Sequence, residues 1–497
     1  MSAMEKSDLP DVARKRANKV ASAAAESVER RGGAKENAEL QSTVRTRSRE
    51  AVSQAQARIR EAVTRNRQGK LTALLHHISI DVLRASFFGS KKSAAPGIDE
   101  MTWAAYAESL EANLLDLHAR VHRGAYRALP SRRVYIPKAD GRQRPLGIAA
   151  IEDKIVQAAA VAILTPIYEA EFLGFSYGFR PGRNQHQALD ALAFGIARKR
   201  INWVLDCDVQ SFFDKVSREW LVRFVEHRIG DRRIVRLISK WLTAGVLEDG
   251  CLIETGEGTP QGAVISPLLA NIYLHYVCDL WAHRWRQRCA SGDMIVVRYA
   301  DDSLVGFEHR HEAERFLADL RVRLARFGLK LHPDKTRLIE FGRHAIASRR
   351  NQGLGKPETF DFLGFTHYCA TGRKGGGFVL GRKPMAKRMR TKLREIKEQL
   401  MATRHDGIDG QGRWLAQVWR GWLAYYAVPM SGSALSAFRH HMIERWHAAL
   451  MRRSQRRRLT WPRMKKVADR FLPFPRILHP WPEQRFLVTI QGKSPVR

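Results

Sequence analysis

The sequence predicts an α+β fold, and three observations carry that expectation. Two short stretches read as antiparallel strand pairs, at 133–148 and 294–307. A single apolar strand interrupted by acids lies between them at 203–209. After about residue 380 the readings are helical, over Arg382 to Leu400 and within 411–450.

Taken in order, residues 1–70 are rich in Ala, Arg, Glu, Ser and Gln, and no aromatic residue appears before Phe87. Such a stretch has little with which to build a core, so a flexible arm or a polar helix is expected. From 71 to 128 the spacing of Leu71, Leu74, Leu75, Ile78 and Val82 is helical. Arg133-Val-Tyr-Ile-Pro137 is extended, Asp140-Gly141 makes a turn, and Arg144-Pro-Leu-Gly-Ile148 leads out as the second strand. A helix is expected over 151–166, opened by Glu152-Asp153 and closed near Pro166. Further helices are expected over 217–245, over 311–327 with Gly328 closing it, over Arg382 to Leu400, and within 411–450.

Composition narrows the partners. The chain has 497 residues, enough for two to four domains, and 44% apolar residues can bury a sizeable core. Lys and Arg number 85 against 50 Asp and Glu, a formal charge of +35. A chain this basic repels itself unless a polyanion neutralises it, and nucleic acid is the commonest such partner. No run approaches the roughly 18 continuous apolar residues of a spanning helix, so a membrane partner is not expected. The five cysteines form no CxxC pair, which argues against zinc and disulfides and for a reducing cytosol. No apolar secretory segment opens the chain. Half of the 12 tryptophans follow residue 380, interleaved with Arg and Lys runs, a mixture that suits an RNA-binding helical domain or a bundle with a solvated basic face.

Chemistry is expected where acids interrupt apolar strands, because a sequence selected only for folding avoids burying charge there. Asp206 and Asp208 lie two apart in Trp203–Val209 and share a strand face. Asp301-Asp302 sits at the tip of the second hairpin, between Met294-Ile-Val-Val-Arg-Tyr299 and Ser303-Leu-Val-Gly-Phe307. Carboxylates gathered in this way suit magnesium and phosphoryl transfer, which needs metal ions more than covalent help from the protein.

At this point the chain resembles the reverse transcriptases encoded by group II introns. Tyr299-Ala-Asp-Asp302, Asp208-Val-Gln-Ser-Phe-Phe-Asp214, Gly258-Thr-Pro-Gln-Gly262 with its continuation to Tyr273, Leu329-Lys-Leu-His-Pro-Asp-Lys-Thr336 and Phe360-Asp-Phe-Leu-Gly-Phe365 are similar to the family's palm motifs. Arg144-Pro-Leu-Gly-Ile148, Glu152-Asp-Lys-Ile-Val156 and Ser176-Tyr-Gly-Phe-Arg-Pro-Gly-Arg183 resemble its fingers. Gly421-Trp-Leu-Ala-Tyr-Tyr426 resembles its thumb or maturase segment, and the likeness runs from about 70 to 490.

The resemblance implies a right-hand polymerase, with fingers and palm built on antiparallel sheet and followed by a helical thumb/maturase domain. It divides the chain into a basic extension at 1–70, fingers at 71–200, palm at 201–370, thumb/maturase at 371–450 and a basic C-terminal region at 451–497, a candidate DNA-binding remnant. It implies that Asp208, Asp301 and Asp302 hold two magnesium ions, with Asp206 as a supporting acid outside the trio. Lys335 is implied as an acid for the leaving pyrophosphate, with a surface lysine as the alternative. Lys138, Arg144, Phe213, Gln261 and Gly262 are implied at the nucleotide, Phe213 as a gate against a 2′-hydroxyl and Gly262 as a place where backbone nears substrate. Arg180 and Arg183 are implied on the template RNA, with Tyr177 and Phe179 either beside them or purely structural. The implied partners are an intron RNA, an RNA template, a DNA primer or target and dNTP, in the bacterial cytosol. With no cysteine after Cys369, an HNH nuclease is not expected. Alternatives are a domesticated reverse transcriptase in phage defence or a CRISPR system, and a splicing-only maturase.

Overall fold

The computed structural model describes residues 30–137, 143–248, 251–253, 258, 262–372, 376–453 and 459–485, with side chains from 45 onward. It is a mixed α+β structure whose eleven strands form three sheets among the described residues. Two compact units emerge, each assembled from three stretches of chain.

The first unit comprises Met1–Leu173, Val209–Trp281 and Arg323–Lys330. Its sheet has the order β2-β1-β4-β5, formed by β1 (Ser131–Pro137), β2 (Gln143–Ile148), β4 (Val246–Glu248) and β5 (Cys251–Ile253). The expected hairpin is there, with Val134 opposite Leu146, but β1 also pairs in parallel with β4. The Asp140-Gly141 turn lies outside the described residues.

The core of this unit is the Ile151–Glu169 helix, which buries Ile155, Val156, Ala159, Ala160, Ile163, Leu164, Ile167 and Tyr168. Glu152 and Asp153 in its first turn complement the helix dipole. Pro166 does not end it as expected. The helix runs one turn further, because burial of Ile167 and Tyr168 outweighs the one backbone hydrogen bond a proline removes. The Arg30–Arg65 and Ile80–Gly89 helices pack on it. From Arg30 to Arg65 the polar N-terminal stretch is therefore a helix, anchored by buried Ile59 and Val63. The expected 217–245 helix is two, Arg218–Arg228 and Arg232–Thr243. Asp231 separates them by capping the second, and it also accepts from the amides of Leu74 and Leu75 at 2.9 Å.

The second unit comprises Gly174–Asp208, Ala282–Val322 and Leu331–Arg497. Its main sheet has the order β6-β7-β3-β8, all antiparallel, formed by β3 (Trp203–Cys207), β6 (Met294–Tyr299), β7 (Asp302–Phe307) and β8 (Arg337–Glu340). The Gln185–Arg198 helix, opened by an Asn184/Gln187 capping box, packs on β6. The third sheet is β11-β10-β9, from β9 (Phe360–Phe362), β10 (Phe365–Thr371) and β11 (Phe378–Pro384).

Here the sequence reading needs two corrections. The basic helix expected from Arg382 begins only at Ala386, because Arg382 belongs to β11, opposite His367, and is buried against Asp190. The helices Ile408–Tyr426 and Gly432–Met451 do not display their tryptophans. Trp419, Trp422 and Trp446 fill the bundle core, with Trp422 stacked on Phe438 at 4.0 Å. Trp461 and Trp481 are exposed. No helix among the described residues is long and apolar enough to cross a membrane. All five cysteines are free.

Two buried imidazoles make this unit acid-sensitive. Burial first, and then the charge of Arg382, pushes His367 down to about 3. Burial, His479, Arg485 and Arg382 lower His186 to about 3 as well. Both rings are neutral in the fold and would take up a proton near 6.5 when unfolded. Their contribution is therefore whole above pH 6.5 and is lost as pH falls from 6.5 toward 3. By pH 5 the loss reaches about 2 kcal/mol for fully buried His367 and less for His186. Urea melts at pH 7 and pH 5 should show it, and His186→Phe should narrow the gap between the two. An equal gap in the variant would remove His186 from this account.

Candidate active site

The acids are set by strand register. In β3, Val204 and Leu205 are buried and the strand is hydrogen-bonded on both sides, to β7 and to β8. Cys207 faces Ser303 across antiparallel β3 and β7, and that register, extended one residue on from β3 and one residue back in β7, sets Asp208 across from Asp302. In the β6–β7 hairpin Tyr299 faces Asp302, which leaves Ala300 and Asp301 as the turn. Ala300 takes the left-handed conformation (φ +56°), which costs a residue with a Cβ about 1–2 kcal/mol. Hairpin geometry thus brings Asp301 and Asp302 to the end of the sheet where Asp208 emerges from β3.

The carboxylates feel one another. The Asp302 carboxyl is raised by the protein crowded around it, and then by the negative charges of Asp301, Asp208 and Asp206. Its side chain nonetheless keeps surface open to water. Asp206 is pushed up to about 6, chiefly by burial, with Asp208 and Asp361 adding to the rise while Arg337 and Lys335 oppose it. Arg337 lies 4.0 Å from Asp206. Asp206 therefore sits beside the trio as a supporting acid, with its own cationic neighbour.

Lys335 reaches the same place. Its ammonium donates to Asp208 Oδ2, and the amide of His332 donates to the Asp208 carbonyl at 2.8 Å. The loop from His332 to Lys335 is thereby seated on the acid-bearing end of β3. Lys335 is a surface lysine, more than half exposed, that is bonded to one member of the trio.

Among the described residues, no three His, Cys, Asp or Glu side chains close into a ready-made metal cage. The donor set nonetheless suits a hard divalent ion. It is all carboxylate oxygen, its mutual repulsion raises Asp302, and Lys335 already supplies one neutralising charge.

The nucleotide candidates lie in the first unit. Arg144 is buried in β2. Gly262 (φ +105°) approaches that strand so closely that a Cβ would stand 2.8 Å from the Gly147 carbonyl oxygen. This close approach is to β2, the strand that carries Arg144. Phe213 is half-buried in the short Phe212–Lys215 helix, edge-on to Phe212 at 5.3 Å. Gly258 is tied to the chain just after that helix, its amide donating to Val216 at 2.8 Å while Arg218 Nε donates to its carbonyl at 3.1 Å. Lys138 and Gln261 lie outside the described residues.

The template candidates occupy a turn of the second unit. Arg180 is buried and donates to the Ser176 carbonyl at 2.7 Å. Arg183 donates to the Gly174 carbonyl at 2.6 Å and lies over the Tyr177 ring at 5.1 Å. Both guanidiniums hold the 174–183 turn together. Sequence reading passed over Arg298, although a charged residue inside the apolar run Met294–Tyr299, directly before the acidic turn, was a signal of the kind that singled out Asp206 and Asp208.

Comparison with known proteins agrees with this geometry. Residues 136–367 match the reverse transcriptase (RNA-dependent DNA polymerase) family. Protein YkfC of Escherichia coli (strain K12) is 41% identical over 189 residues, 37% of this chain and 50% of that protein. The group II intron-encoded protein LtrA of Lactococcus lactis subsp. cremoris is 37% identical over 193 residues, 38% of this chain and 31% of that protein. An uncharacterized 91 kDa protein in the cob intron of Schizosaccharomyces pombe is 29% identical over 318 residues, 54% and 38% of the two chains. The chain thus spans half or less of the length of these relatives. Through residues 136–367 the chain is thus similar to the reverse transcriptases, and the relatives that match it include a group II intron-encoded protein.

Proposed function

We propose that the protein is an RNA-directed DNA polymerase that binds its intron RNA, assists its splicing and copies RNA into DNA in the cytosol. The observation that carries this is the register that sets Asp208 across from Asp302 at the end of β3 and β7, within a segment matching the polymerase family. On this reading the chain is a right-hand polymerase, with fingers at 71–200, palm at 201–370, thumb/maturase at 371–450 and the basic flanks 1–70 and 451–497 on nucleic acid.

Asp208, Asp301 and Asp302 would hold two magnesium ions, which supply activation of the primer 3′-hydroxyl and neutralisation of charge on the phosphates. Lys335 holds a proton within reach of that site and is placed to give it up to a leaving pyrophosphate. Phe213 presents a ring against the sugar, Arg144 and Lys138 supply cations for triphosphate oxygens, and Gln261 and Gly262 shape the base and sugar side. Arg180 and Arg183 brace the turn along which template runs.

Purified protein with magnesium should extend oligo-dT on poly-rA with dTTP, and no extension under any salt condition would overturn the polymerase. RNA affinity should fall about 1,000-fold between roughly 50 and 200 mM salt, through release of condensed cations. A flat response would show that the +35 charge is not what binds RNA.

A further inference from the structure

The turn that carries Asp301 and Asp302 is held from one side by a residue that is neither an acid nor a substrate contact. We infer that Arg298, together with Ser176 and Gly178, is the positioning element that fixes the Ala300–Asp302 turn in its metal-binding geometry. The inference rests on the polymerase reading above.

Arg298 is 2% exposed, at the last but one position of an otherwise apolar strand. Its guanidinium donates along two directions, from Nη1 to the Ala300 carbonyl at 2.8 Å and from Nη2 to the Ser176 hydroxyl at 2.7 Å. The first bond ties the side chain to the turn itself. The second ties it to the 174–183 loop. Backbone bonds reinforce the link, since the Arg298 amide donates to the Phe175 carbonyl at 2.9 Å and the Tyr177 amide donates to the Arg298 carbonyl at 2.8 Å. These make a parallel bridge between Ser176 and Arg298 along the outer edge of β6.

Gly178 completes the clamp. A Cβ there would stand 2.3 Å from the Ala300 amide nitrogen, so the two backbones touch and no side chain fits between them. Phe179 follows in a left-handed conformation (φ +57°), its ring 6.4 Å from that of Tyr299.

These contacts converge on Ala300, whose positive φ a residue with a Cβ rarely holds unaided. A turn so conformed persists only where its surroundings over-determine it. Here the surroundings include one guanidinium, one hydroxyl and one glycine, contributed by residues outside the proposed metal-binding carboxylates. Arginine suits the task because its planar fork reaches two acceptors at once, where lysine offers a point charge. The 174–183 loop thus serves the catalytic turn as a buttress, in addition to any contact with template.

Ser176→Ala removes only the hydroxyl acceptor and Gly178→Ala inserts the excluded Cβ. Ser176→Ala should lower kcat for extension of oligo-dT on poly-rA about tenfold or more, leaving the KM for dTTP, RNA affinity and melting temperature near wild type, whereas Gly178→Ala should lower both kcat and the melting temperature, because its Cβ must displace the Ala300 backbone. Mn2+ alone, titrated into the protein and followed by electron paramagnetic resonance, should bind more weakly to both variants. Arg298→Lys should retain more Mn2+ affinity than Arg298→Met, because lysine can keep one of the two bonds. The inference is overturned if both single variants bind Mn2+ and extend primers as wild type does, or if activity falls only with the folded fraction. Should the wild-type chain extend no primer, the polymerase reading fails by itself, and unchanged or weakened Mn2+ binding still decides whether the clamp shapes the acids.

Discussion

Replacing both turn acids, Asp301→Ala with Asp302→Ala, should reduce primer extension by at least on the order of 1,000-fold while leaving RNA binding intact. The size follows from what the carboxylates do. Metal ions stabilise transition-state charge by several kcal/mol, and each 1.4 kcal/mol is a factor of ten in rate. In the structure burial, and then repulsion from Asp301, Asp208 and Asp206, raises Asp302, so removing two of these acids relieves both costs in the apo protein even as it would abolish cation binding at the proposed site. The double variant should therefore melt at or slightly above the wild-type temperature, the mark of a site built for function at some cost in stability. RNA affinity, measured by filter binding, should be unchanged, because binding is spread over basic surface away from these two residues. Extension at the wild-type rate would show that the chemistry is elsewhere. A fall in both melting temperature and RNA binding would show instead that the turn is structural.

How much of this was written in the chain depends on the distance over which each feature is specified. The β6–β7 hairpin was legible because two β-rich runs separated by a short acidic tip are a local signal, although Asp302 joins β7 opposite Tyr299 where the sequence reading left it in the tip. The acids of β3 were legible because charge inside an apolar strand has to be explained. That Asp208 would face Asp302 was not, since it depends on β3 pairing with β7 nearly a hundred residues away. The contact of Lys335 with Asp208 has the same origin. Pro166 misled because a local helix-breaking rule was outweighed by burial of Ile167 and Tyr168. The tryptophans after residue 380 misled because composition cannot tell a core from a surface. Arg382 misled most, since its basic neighbours read as a helix face while its partner, Asp190, lies 192 residues earlier.

That partner carries the second large expectation. Asp190 is 1% exposed, in the third position from Gln187 along the Gln185–Arg198 helix, and it serves two guanidiniums at once. Its Oδ1 accepts from Arg382 Nη1 at 3.2 Å, and its Oδ2 accepts from Arg485 Nε. Arg382 is itself almost fully buried, and burial depresses its pKa while Asp190 pulls it back up. One carboxylate therefore compensates a buried cation from β11 and a second from the C-terminal segment. Asp190→Ala leaves Arg382 charged, out of water and without its counter-ion, a change that costs about 3–5 kcal/mol where a buried pair is broken from one side. Arg485→Ala should cost far less, about 1 kcal/mol, because Arg485 is only partly buried and its loss leaves the Asp190–Arg382 pair in place. Urea melts of the two variants should show this asymmetry. The Asp190 variant should also expose the segment around His479, whose amide donates to the Ala427 carbonyl at 3.1 Å, to limited proteolysis. Replacing Asp190 and Arg382 together by Leu and Met should recover much of the loss, because an apolar pair of similar volume needs no counter-ion. If the double variant is no more stable than Asp190→Ala alone, the stranded charge is not the source of the cost and the cavity left by Asp190 is.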